Sequence, residues 1–171
     1  MTGLLSLAVM KCAQVIKGKP EMERSLDCPS SQPDQLGSRI IGVVVKGDGS
    51  PSIAFLKDPV PPEQIAHLVP DSVPVTEIVR IAAPCQQGKC RHFGDGKCSL
   101  VSKIVEQLPQ VVQHLSYCPT RKSCLWWSQE GTEACRRCPQ VVTEPFHPSE
   151  STRKLAPIPD PQECRVPKLE E

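Results

Sequence analysis

The sequence predicts an α+β fold: a small antiparallel sheet followed by a cysteine-rich metal-binding module of helices and loops, with flexible termini. Three observations carry that prediction. Two apolar, β-branched runs flank a Gly-Asp-Gly-Ser-Pro turn, and the apolar period lengthens from about two residues to about 3.6 after Cys98. Seven of the ten cysteines also fall between Cys85 and Cys138, a density that apolar packing does not require.

The first 38 residues do not look like part of the packed domain. Residues 1–17 read as a short amphipathic helix, with Leu4, Leu5, Ala8 and Cys12 on one face, or as an unstructured start. Residues 18–37 carry Pro20, Pro29 and Pro33 among Ser and Gln, the composition of a linker. Cys12 and Cys28 have no partner at ligand spacing and read as isolated thiols.

The domain is expected over residues 39–143, with a sheet part at 39–83 and the cysteine-rich part at 84–143. Ile40, Ile41, Val43, Val44 and Val45 form a strand, residues 47–51 turn, and Ile53, Ala54, Phe55 and Leu56 return as a hairpin. The turn lacks the Gly-x-x-x-x-Gly-Lys-Ser/Thr pattern and following helix of a phosphate loop. Pro59, Pro61 and Pro62 break the strand, and residues 62–68 supply one or two helical turns with His67 at the surface. Residues 75–83, rich in Val, Ile and Thr, predict a third strand that leads into Cys85.

Beyond Cys98, Leu100, Val101, Ile104, Val105 and Leu108 share one face of a helix capped by Ser99 and ended by Pro109. Val111, Val112 and Leu115 continue it briefly. A second helix is expected over residues 120–130, stopped by Gly131, with Cys124 and Trp127 on its inner face. Trp126-Trp127 reads as a core residue beside a partly exposed one. Residues 144–171 hold six prolines between charges and read as a disordered tail, with Cys164 a bystander.

The bulk composition bounds the chemistry. A chain of 171 residues with 19 prolines and 4% aromatics packs roughly 100 residues in its middle, and so small a core commonly needs a disulfide or metal staple. A net charge of +1 offers no global field for nucleic acid or acidic lipid. The apolar run at 4–10 lacks a basic lead and a cleavage site, and is too short to span a bilayer. The expectation is a cytoplasmic protein without membrane contact, its thiols reduced and available to metal.

The candidate metal ligands are Cys85, Cys90 and Cys98 in one group and Cys118, Cys124, Cys135 and Cys138 in another. Thiolates that converge repel one another unless a cation or a disulfide joins them. Structural zinc sites draw ligands in pairs two to four residues apart, and only Cys135-x2-Cys138 is such a pair. An iron–sulfur cluster accepts wider, irregular spacing, so one or two clusters of the 4Fe–4S kind lead and zinc is the alternative. Seven ligands are uneven for two four-ligand sites. Either His92, two residues after Cys90, is the eighth, or one iron is open, or one cluster uses four cysteines and the others are structural. His114 is remote from any cysteine pair. The first group lacks the Cys-x3-Cys-x2-Cys spacing of radical S-adenosylmethionine enzymes. A disulfide framework would need an oxidising compartment, and Cys135-Arg136-Arg137-Cys138 as a redox dithiol lacks a strand-to-helix setting.

Basic residues cluster around these thiols: Lys89, Arg91, Lys97, Lys103, Arg121, Lys122, Arg136 and Arg137. Their expected role is to offset the charge of metal-bound thiolate, or to dock an acidic redox partner. No Ser-His-Asp, paired-carboxylate or phosphate-loop arrangement is legible, which disfavours hydrolases and kinases.

The segments APCQQGKCRHFGDGKC and CPTRKSCLWWSQEGTEACRRCPQVVT resemble those of short cysteine-rich bacterial proteins, common in cyanobacteria, loosely labelled nitrogen-fixation proteins. The resemblance spans roughly residues 39–143 and implies a cytoplasmic bacterial protein with iron–sulfur chemistry and no defined reaction. The expected function is electron transfer, or support of another enzyme, with a protein redox partner or client. The alternatives are a zinc-stapled adaptor for a protein or nucleic acid and a small redox enzyme with an open iron site.

Overall fold

A computed structural model describes residues 26–46, 49–143 and 154–155. The expected N-terminal helix, Cys12, Cys164, residues 47–48 of the turn and all of the tail except Lys154 and Leu155 lie outside the described residues. In chain order the strands are β1 (Asp27–Cys28), β2 (Arg39–Val45), β3 (Ser52–Val60), β4 (Val79–Pro84), β5 (Phe93–Gly94) and β6 (Lys97–Cys98). The helices are α1 (Glu63–Ala66), α2 (Val75–Ile78), α3 (Ser99–Gln107) and α4 (Leu125–Arg137).

The α+β expectation holds. Strands β1 to β4 form one antiparallel sheet in the order β1-β4-β2-β3, and β5-β6 is a small hairpin. Strand β4 is central, and its residues 79–83 are all buried, as expected of a strand covered on both faces. Its side chains alternate: Val79 and Ile81 pack with Ile40 under Ile65 of α1 and Val75 and Ile78 of α2. Arg80 points the other way, toward the cysteine module. There α3 and α4 pack through Val101, Ile104, Leu125, Trp126 and Ala134, joined by Leu155 from the otherwise undescribed tail.

Several elements depart from the sequence expectation, each for a physical reason. The linker composition of residues 18–37 hides β1, whose Asp27 faces Pro84 and whose Cys28 faces Ala83 in register. Two residues carry no periodicity, so only the β4 edge reveals them. Strand β3 runs on through Pro59 rather than stopping before it, because β3 is an edge strand and Pro59 there need not donate a ladder hydrogen bond. Residues 75–78 form the helical turn α2 rather than the start of a strand. Pro74 sets its entry, with Glu77 N–H donating to Pro74 O (2.9 Å), and the sheet core receives Val75 and Ile78.

Helix α3 ends at Leu108 as the proline predicted, but its capping position is Cys98 rather than Ser99. Val111 and Val112 do not continue it. Both N–H groups donate to Arg136 O (2.9 and 3.3 Å), which holds this loop against α4 instead. A 3-10 turn at Arg121–Ser123 precedes α4, and Gly131 kinks α4 without ending it. Its backbone there (φ +57°, ψ −135°) suits a residue without Cβ, and the helix resumes through Arg137. That extension matters for the site: it carries Cys135 to the same end of α4 as Cys138.

Candidate metal centre

Cys118, Cys124, Cys135 and Cys138 all line one cavity of about 220 Å³. Each reaches it from a different local setting. Cys118 precedes the 3-10 turn, and its Sγ lies 3.6 Å from the hydroxyl of the buried Thr120. Cys124 stands at the N-cap of α4 without a side-chain capping hydrogen bond, and the first-turn N–H groups of Trp127 and Trp126 favour its thiolate. Cys135 and Cys138 are three residues apart at the end of α4, a spacing that sets two side chains on one helix face. The other walls are largely apolar, among them Ile41, Ile53, Phe55, Leu115 and Trp126.

Burial governs these thiols. It pushes Cys124 up to about 12 and Cys135 up to about 11, and raises Cys138. Their mutual repulsion adds to the rise: Cys124 with Cys138 and Cys135, Cys135 with Cys138 and Cys118, and Cys138 with Cys118. The four are therefore one electrostatic group. Burial keeps Cys124, Cys135 and Cys138 protonated without a cation, and a metal entering the cavity must displace those protons.

Two arginines oppose that repulsion. Arg80, 2% exposed, donates from Nη2 to Cys138 O (2.9 Å) and from Nη1 to Pro29 O (3.5 Å), and favours the Cys138 thiolate. Arg121 acts likewise on Cys135, while its guanidinium lies 5.6 Å from the centre of the Trp127 ring. The buried Nε of each has no partner among the described residues. A guanidinium buried beside carbonyls, with no carboxylate bridge among the described residues, is costly unless an anion lies near. Of the basic residues picked out in the sequence, Arg136 and Arg137 instead pair with Glu133, at 3.6 and 2.7 Å. Arg80 gave no sequence signal, because it stands within a run of strand-forming residues.

Among the described residues no group of three or more His, Cys, Asp or Glu side chains is arranged to hold a metal ion. Around one zinc, with Zn–S near 2.3 Å, four tetrahedral sulfurs sit about 3.8 Å apart. The four thiols here face a cavity and are not drawn into such a shell. The donor set is soft, apolar-walled and accompanied by the buried Arg80 and the half-buried Arg121, and thiolate sulfur is a ligand that zinc and iron–sulfur clusters both take.

Cys85, Cys90 and Cys98 are not among the residues that line this cavity. Cys85 follows β4, and its N–H donates to Leu26 O (2.8 Å) while its Sγ accepts from Gln87 N–H (3.4 Å). Cys90 ends the 3-10 turn at Gln87–Lys89. Cys98 is held by Gln129 of α4, whose Oε1 accepts from Cys98 N–H (2.9 Å) and whose Nε2 donates to Cys98 O (3.0 Å). His92 lines a second cavity, of about 410 Å³, beside Cys90. Its Nε2 accepts from Arg91 Nε (3.4 Å), and burial together with Arg91 and Lys103 favours its neutral form. His114 lies on the rim of the first cavity.

Cys28, read from the sequence as an isolated thiol, lies on β1 and remains a free thiol. The β1–β4 pairing sets it beside Cys85, and no spacing rule could have linked cysteines so far apart in sequence. All eight cysteines of the described residues are free thiols. No helix among the described residues is long and apolar enough to cross a membrane. No protein family, curated protein or solved structure matches the chain.

Proposed function

We propose that the chain is an iron–sulfur protein that holds a cluster on Cys118, Cys124, Cys135 and Cys138 and exchanges electrons with a protein partner or client enzyme. The convergence of these four thiols on one apolar-walled cavity carries the reading. A cluster bound there supplies one-electron redox chemistry, with a potential set by net charge, hydrogen bonds to sulfur and solvent access.

The chain's own residues supply those three controls. Arg80 and Arg121 bring positive charge to Cys138 and Cys135. The N–H groups of Trp126 and Trp127 favour the Cys124 thiolate. Ile41, Phe55 and Leu115 line the cavity with apolar surface and limit solvent access to it. The loop through His114 and Ser116 forms the outer wall, and Ser116 and Tyr117 beside it are exposed.

Purification without oxygen, followed by visible absorption and assay of iron, sulfide and zinc, tests the proposal. The expected product is brown and contains iron and sulfide in equal amounts, and Cys135→Ser loses the iron of this site. A colourless protein with stoichiometric zinc would overturn the reading in favour of a zinc-stapled adaptor.

A further inference from the structure

We infer that Cys28, Cys85, Cys90 and Cys98 form a second four-thiolate site for an iron–sulfur cluster, an inference that rests on the reading of the first site. Register provides the first argument. Cys28 faces Ala83, and Leu26 O accepts from Cys85 N–H, so the antiparallel ladder sets Cys28 and Cys85 two positions apart diagonally. Such diagonal neighbours lie on the same face of the sheet, about 7–8 Å apart, within reach of a shared polynuclear group.

The hairpin delivers the other two. Phe93 N–H donates to Cys90 O (3.0 Å), and Phe93 faces Cys98 across β5-β6. Cys85, Cys98, Phe93 and Leu26 pack into the same apolar cluster. The Gln87 N–H bonded to Cys85 Sγ is already the kind of donor that cluster sulfurs accept.

Cys28 resolves the uneven ligand count. With it the described cysteines divide into two sets of four, and neither set needs His92, whose imidazole is bonded to Arg91. The segment at residues 27–29 also lies between the sets. Cys28 belongs to the second, Pro29 lines the cavity of the first, and Asp27 bridges to Cys124.

The test compares wild type with Cys28→Ala, His92→Ala and Cys12→Ala, all prepared without oxygen, by iron and sulfide per chain. Wild type is expected to hold about eight irons, from two 4Fe–4S clusters, and Cys28→Ala about half of that. His92→Ala and Cys12→Ala are expected to match wild type. Iron that Cys28→Ala retains in full, or a wild type with a single cluster, overturns the second site and leaves the first standing. A wild type without iron overturns the reading beneath both. If Cys28→Ala does not fold, alkylation of the wild type decides. Cys28 is expected to resist iodoacetamide in the loaded protein and to react alongside Cys85, Cys90 and Cys98 once iron is chelated, whereas protection unchanged by chelation overturns the site.

Discussion

Arg80 is the residue on which the electrostatics of the first site turn. It is almost fully buried in the central strand, bonded to two carbonyls, and next to Cys138. Replacing it with Leu removes a cation from beside the thiols and leaves the carbonyls of Pro29 and Cys138 without that donor. The expected cost is about 1–3 kcal/mol, read from the denaturant midpoint. Loss of positive charge also disfavours adding an electron, so Arg80→Leu is expected to lower the reduction potential, and Arg80→Lys to restore part of it. A potential that does not move in Arg80→Leu would separate Arg80 from the redox group. Sequence reading missed this residue because a lone Arg within a β-branched run looks like a solvated edge position. Trp126 and Trp127 were legible: one is 1% exposed, and the other stacks under Arg121.

At the scale of elements, the β2–β3 pair is the part most constrained by contact. Its register shifts between Ile40 and Gly42, and a Cβ added at Gly42 would meet Ile53 Cγ2 at 2.6 Å and Ala54 O at 2.9 Å. Ile53 is 8% exposed and Ala54 O belongs to the paired strand, so neither moves freely. Gly42→Ala is therefore expected to cost about 1–3 kcal/mol by overpacking, measured by urea unfolding. An unchanged midpoint would mean that the strands can separate without loss. Hairpin and amphipathic helix were both readable, since alternation and 3.6-residue periodicity are properties of neighbouring residues. The misread elements are those where a local signal met a tertiary one. Residues 75–78 have strand-forming side chains yet coil behind Pro74, and Pro59 remains in a strand because, among the described residues, no further strand lies beyond β3.

For the whole molecule, the sheet, the hairpin and α4 meet at cysteines as much as at apolar side chains. Cys98 and Cys124 belong to the main core, and Cys85 and Cys138 pack against it. Metal bound at these positions, as proposed, would stabilise the native state over the unfolded chain by up to about 2.7 kcal/mol at a hundredfold excess over Kd. Anaerobic chelation is expected to lower the melting temperature by about 10 °C or more and to broaden the transition, followed by circular dichroism. Equal melting with and without metal would uncouple the sites from folding.

The sequence by itself determined the α+β class, the two helices of the cysteine module and the four cysteines from Cys118 to Cys138 as a group. All of these depend on residues near one another in the chain, where periodicity, caps and spacing act. Only the tertiary structure decided that Cys28 stands beside Cys85, that Arg80 faces Cys138, and that α4 passes Gly131 to bring Cys135 into the cavity. Strand register and sheet order set the first two, and they join residues more than fifty positions apart. The third depends on packing that carries a helix through a glycine which, read locally, ends it.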